Sequence, residues 1–556
     1  MRLMMLTLTV LVLSLAAAAQ SQGPTSAAGK PAATKPATKP AADIPDFGLA
    51  DAAKPDVKPD ALAVLAAALK DDKVIPQTLL ALRAACTSGT DDRDLLVLFE
   101  AYSRCGDKRL RLLATTSLAE IAGKDACPAL VERMTEDPAM VVRSEALIHL
   151  LALGAVSDDQ LRAALKLDDE SIQCIAAKTL LLRRQPKEAK PVLQRLSNSK
   201  DLATACLSRL SLLASGDETP RKALLETVKD RKTPEDVLDL MLQQIAEAKT
   251  TSARDLAEAI LGAEASPMLK LRAYRTLAAV APDATGALLE AIETSDDLVV
   301  RVHLMRSLSL QKDCAAALRK LAKADENDIA CVLARLELAR TAKDAGKVAA
   351  ALKQAFALGH PVVIDYVMMD AREDLDGRIQ PPAQTQPATL TQPAGRSSER
   401  APADVLRAYV APLLEFIDSV PTDPEEMQRI HRRVAVAVTW LADSDLKEAS
   451  DGLDKVMAGK YSAILRASAV GLGKSRNRAC SLRLSRPLLA SPYRDLMEDG
   501  ALNLARWGDK DATKVMDQII ASPTELPVLR AMACWYSLRI QGRTAEAAKE
   551  LAKDVK

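Results

Sequence analysis

Aromatic side chains are scarce in this chain of 556 residues: 4 Phe, 3 Trp and 7 Tyr make up 3% of it. Glycine is scarce too, at 21 residues. The chain is nevertheless 48% apolar, so its core must come from Ala, Leu and Val. Sandwiches and barrels want β-branched and aromatic residues on pleated faces. Close-packed helices accept small and straight-chain residues. A strong charge of either sign is also absent, with 75 Lys and Arg against 74 Asp and Glu and a net charge of +1. That balance excludes a wholly basic nucleic-acid binder and an acidic disordered protein.

Catalytic and metal-binding patterns are equally sparse. The four His (His149, His303, His360 and His431) lie far apart, and none adjoins a Glu, so a zinc-protease arrangement is excluded. No Gly-x-Ser-x-Gly and no Cys-x-x-Cys occurs. Nine Cys is an odd number, which leaves at least one unpaired, and their helical positions read as small buried hydrophobes. Trp440, Trp507 and Trp535 fall within helices at core-like spacing. The segment SAVGLGKS, Ser468 to Ser475, resembles a phosphate loop but has Ser where the first Gly belongs, and no strand precedes it. Gly471 and Gly473 read there as helix-ending residues. No catalytic residue, cofactor, nucleotide or metal is expected.

One long apolar run is present, at the start. Arg2, then Leu3 to Leu15, then Ala16 to Ala19 reads as a signal peptide over residues 1–19. It is short of the ~20 residues of a bilayer span. No Cys precedes Cys86, so a lipoprotein anchor is not expected. The mature protein is expected to be exported to the periplasm or outside the cell, with no membrane span. Residues 20–60 are rich in Ala, Pro and Lys and read as a disordered linker.

From there a repeat takes over. LRLLATTSL at Leu110, VRSEALIHL at Val142, IQCIAAKTL at Ile172, VRVHLMRSL at Val300 and LRAMACWYS at Leu529 share one apolar pattern. Placing the second position at 111, 143, 173, 204, 238, 272, 301, 330 and 363 gives steps of roughly 29 to 34 residues. Each period holds two helices that cannot bury their apolar faces alone, so neighbours must stack into a solenoid. In one unit, Asp137-Pro138 opens the first helix, Gly154 ends it, and Ser157-Asp158-Asp159 starts the second.

On Asp137, Pro138, Val142, Arg143 and Ala146, echoed without Pro by Asp296, Asp297, Val300 and Arg301, the chain resembles the HEAT-repeat family over about residues 75–550. Residues 336–356 and 534–552 look more like tetratricopeptide repeats. The resemblance implies an all-α, α-α superhelix, a HEAT-like solenoid of about 13–14 helix pairs, and a protein-binding scaffold. At ~8–10 Å per layer it would form an elongated arc of roughly 120 Å.

A segment rich in Pro, Gln and Thr, residues 377–404, interrupts the pattern and reads as a disordered insertion. It separates an array over 61–376 from a C-terminal block over 405–556. Within that block, no Asp or Glu occurs between Lys460 and Arg494. Lys474, Arg476, Arg478, Arg483 and Arg486 are therefore the candidate site for an anionic partner. Three functions are in view: an exported scaffold binding a protein partner along its concave face, an accessory or lyase-like enzyme, and a binder of an anionic polymer through residues 460–494.

Overall fold

In the computed structural model, the described residues are 59–555 apart from 88–92, 264, 282–283, 310, 312, 324–327, 377–400, 421–423 and 460–461. The expected signal peptide, nearly all of the linker and most of the insertion lie outside them. Among the described residues every regular element is an α-helix or a short 3₁₀ turn.

Local sequence explains the helix ends. Asp107, Asp169, Asp201 and Asp328 cap four helices by accepting backbone N–H bonds, from Arg109 at 2.7 Å in the first case. Ser157 and Gln160 form a reciprocal capping box at the start of Asp158–Ala164. Gly154, at φ 64°, supplies the left-handed residue that ends Met140–Ala152. Asp137 behaves differently from expectation. The N-cap of that helix is Ala139, and Asp137 stands two residues outside it, accepting from the Ala139 N–H at 2.8 Å.

Among the described residues, helix pairs repeat fourteen times. The first helices of the pairs begin at Ile75, Lys108, Met140, Glu170, Leu202, Glu235, Pro267, Leu298, Ile329, Pro361, Pro424, Ser462, Arg494 and Pro527. Up to Pro361 their starts are 30 to 33 residues apart. The spacing is thus more regular than the sequence phrase implied. Counting the repeat from Arg272 shifts its register by two residues, because the helical position that Arg143 holds in its own helix is held there by Lys270.

An elongated arc is not what forms: the array closes on itself. Pro527–Ile540, the last of the first helices, packs against Ile75–Thr87, the first of them, and against Ala61–Ala68. Thr544–Lys553 packs on Leu96–Tyr102. One apolar core runs through the join, from Leu65, Leu79 and Leu82 to Ala533, Cys534 and Trp535. Thr544 donates to Asp94, and Lys70 meets Asp554 at 2.8 Å. The first helices therefore make a closed inner layer and the second helices pack outside it. The ~120 Å expected of an open arc becomes a circumference, which corresponds to a diameter of about 40 Å through the helix axes.

The layer continues across the insertion. Pro361–Asp376 packs on both Ala403–Asp418 and Pro424–Asp443. Trp440 Nε1 donates to the Ala371 carbonyl at 2.8 Å, and Arg372 pairs with Asp443 at 2.9 Å. Buried residues on both sides belong to one core.

Further round the inner layer, glycines set close contacts. Gly471 and Gly473 lie inside Ser462–Lys474 and do not end it early. A Cβ on Gly471 would meet the Ala435 carbonyl oxygen at 2.5 Å, and one on Gly473 would meet Asn503 Oδ1 at 2.5 Å. These glycines let three inner helices approach closely.

Candidate functional site

On several inner helices the second, sixth and ninth residues share one face, since side chains three and four apart align. That face points away from the outer helix and into the ring. Several of its residues are apolar and accessible: Leu80 at 45%, Val141 at 49%, Met268 at 61% and Met369 at 47% exposed, with Val299 and Val528 beside them. Contiguous exposed apolar side chains mark a contact surface, and Met268 and Val299 stand at the same position of neighbouring inner helices.

Charged residues occupy the same face, and most are matched. At the ninth position, Arg83 grips Glu120 of the next inner helix, with Nε donating to Oε2 at 2.7 Å. Lys178 reaches past one helix to donate to Gln244 and lies 3.9 Å from Glu247. Arg306 likewise crosses one helix to pair with Asp370. The last contact marks a corner. Ile329–Thr341 is set back there, and its flanking helices meet over it.

A buried polar network fills that corner. Arg340 binds Glu337 at 3.1 Å, Asp370 at 2.5 Å and Asp374 at 2.7 Å. Tyr366 donates to Glu337 at 2.6 Å and Tyr409 to Asp374 at 2.7 Å. Burial pushes both phenols well above their ordinary range, so they remain neutral donors. Burial opposes the Arg340 cation, but Glu337 and the other anionic partners outweigh it and hold its pKa above the usual value. Glu337 and Asp370 are sealed from solvent. The network fixes how four helices meet and offers no open position for a reactant.

Beyond that corner, the basic run is dispersed by folding. Arg483 faces Asp454 and donates to Ser450 at 2.7 Å. Arg486 lies 2.7 Å from Asp509 and 3.2 Å from Asp511. Arg466 pairs with Asp495 at 2.6 Å, and Arg494 with Glu525 at 2.6 Å. These acids come from neighbouring repeats and were invisible to a count along the chain. Lys474, Arg476 and Arg478 sit together at an exposed turn between an inner and an outer helix. Arg478 donates to the Trp507 carbonyl at 3.4 Å. Trp507 caps its helix, with the Arg506 guanidinium 4.6 Å from its ring centre, whereas Trp440 and Trp535 are buried as expected.

Seven of the nine cysteines are buried. Burial pushes the Cys534 thiol up to about 12 and raises Cys174 and Cys206, which makes them inert packing groups. Among the described residues there is no cluster suited to a metal and no helix long and apolar enough to cross a membrane.

No protein family and no curated protein matches the chain. Among solved structures it is similar to Kap121p bound to RanGTP, with 13% identity and a TM-score of 0.28 over 86% of this chain and 56% of that one. It is also similar to UNC-45 from Drosophila melanogaster, with 16% identity and a TM-score of 0.28 over 88% of this chain and 83% of that one. The chain thus spans little more than half the length of Kap121p. At such scores neither match fixes the path of the helices, and the closed ring stands on the contacts of this chain. The chain is an all-α protein of stacked helical repeats.

Proposed function

We infer that this protein is an exported, non-catalytic scaffold that holds a protein partner against the inner wall of the ring. The observation that carries the reading is the line of accessible apolar residues on that wall, Leu80, Val141, Met268, Val299 and Met369. Val141, Met268 and Val299 each stand second in their helices, so those repeats offer equivalent contacts to one partner. Export rests on the pattern of residues 1–19.

Affinity purification from the cell-envelope fraction, with the chain beginning at Gln20 as bait, tests this. A retained protein that is lost when Val141 and Met268 are both replaced by Asp is the expected result. Retention unchanged by that double substitution would sink the reading. An anionic polymer at Lys474, Arg476 and Arg478 predicts a different outcome, namely retention that falls steeply with salt and ignores the inner wall.

A further inference from the structure

Before the insertion, four inner helices carry a cation at the ninth position: Arg83, Lys178, Arg275 and Arg306. Three of them have a carboxylate from another inner helix: Glu120, Glu247 and Asp370. Arg275 has none among the described residues. Its immediate charged neighbours are Arg272 and Arg306, and His303 is near enough that burial and then Arg275 disfavour its protonation. Both neighbours are already neutralised, Arg272 by Asp239 and Arg306 by Asp370.

Arg275 also lines a groove of about 290 Å³ between Glu235–Ala248 and Pro267–Val280. Met268 and Leu269 supply its apolar wall. Acids line it too, but two of them are engaged: Glu235 accepts from Ser266 N and Oγ at 2.9 and 2.7 Å, and Asp239 holds Arg272. Asp236 stands at the open mouth, two residues into its helix and exposed. A polyanion lying along the groove would be repelled by Asp236, whereas one carboxylate reaching Arg275 would not.

We propose that this groove takes an extended segment of the protein partner, with one Asp or Glu side chain paired to Arg275 and an apolar side chain against Met268. Met268 and Arg275 are seven residues apart on one helix face, about 10 Å along the axis. An extended chain covers that distance in about three residues. The inference rests on the scaffold reading and adds the chemistry of the partner to it.

The probe is a rhodamine-labelled Leu-Ser-Ser-Glu-Ser amide, titrated against the purified protein by fluorescence anisotropy. Binding about ten-fold tighter than that of the Leu-Ser-Ser-Gln-Ser amide is expected, and Arg275→Gln should abolish the difference. Oligoglutamate should bind no better than the single-Glu peptide. Equal binding of the two peptides, no binding of either, or a preference for Glu that survives Arg275→Gln overturns the proposal. Arg275 is exposed, and an unchanged melting temperature for Arg275→Gln confirms that folding is intact. A partner still retained from the envelope by Arg275→Glu would leave the scaffold reading standing and remove this one. Arg275-dependent peptide binding with no retained partner would do the reverse.

Discussion

Arg111 of one repeat clasps Asp137 of the next: Nε donates to Oδ2 at 2.8 Å and Nη2 to Oδ1 at 3.0 Å, with the Asp137 side chain fully buried. Arg143 stands 3.7 Å from Asp169, and Arg301 lies 2.7 Å from Asp328, in the same relation. The pair ties a helix to the turn that starts its neighbour, so it sets the step between repeats. Removing one partner of a buried pair strands the other, which costs about 3–5 kcal/mol. Asp137→Ala should lower stability to urea by that amount. A loss below about 1 kcal/mol would show that the ladder is decoration.

Ring closure has a direct chemical test. Lys70 and Asp554 belong to opposite ends of the array yet lie 2.8 Å apart. A zero-length carbodiimide cross-link should join them within a single chain, read by mass spectrometry on the monomer band. An open arc yields no such product.

Glycine substitutions should separate two roles. Gly471→Ala drives a methyl group into the Ala435 carbonyl and the Val438 side chain. It should destabilise by about 1–3 kcal/mol. Gly286 sits exposed in Ala284–Thr294 with open space around it. Gly286→Ala should stabilise by about 0.5–1 kcal/mol, because it lowers the entropy lost on folding. Denaturant melts of both variants decide, and equal effects would reject the close-approach account.

Asp499 gives the protein a pH dependence. Burial, opposed by Arg466 and reinforced by Asp495 and Glu498, pushes its carboxyl up to about 6. An unfolded Asp titrates near 3.9, so from about pH 4 to pH 6 the folded chain holds a proton that the unfolded chain has released. Stability therefore falls as pH rises through that window. Asp499→Asn should remove the fall, gaining up to about 3 kcal/mol at pH 7 and almost nothing at pH 4. A gain that is the same at both pH values would exclude a titration origin.

Much of the architecture was legible in the sequence. Few aromatics, few glycines and a two-helix period led to stacked helical pairs, and fourteen pairs form among the described residues. Arg143 and Asp137 were recognisable as elements of the repeat, because the contact between repeats reuses the same residue types in several units. Arg272 misled the register because local spacing cannot separate a ladder arginine from one turned into the ring. The candidate site was much less legible. Counting charge from Lys460 to Arg494 missed Asp454, Asp509 and Glu525, which adjoin that run only after neighbouring repeats stack.

By itself the sequence determined the secondary structure and the kind of stacking, since both depend on periodicities of a few residues within one repeat. Tertiary structure alone decided that the stack closes. Closure depends on a small rotation between neighbours, set by contacts such as Gly471 against Ala435 and summed over fourteen steps. No single repeat carries that sum. The same closure turned the inner helices towards a common interior, and with it exposed Arg275 as a cation left unmatched among the described residues.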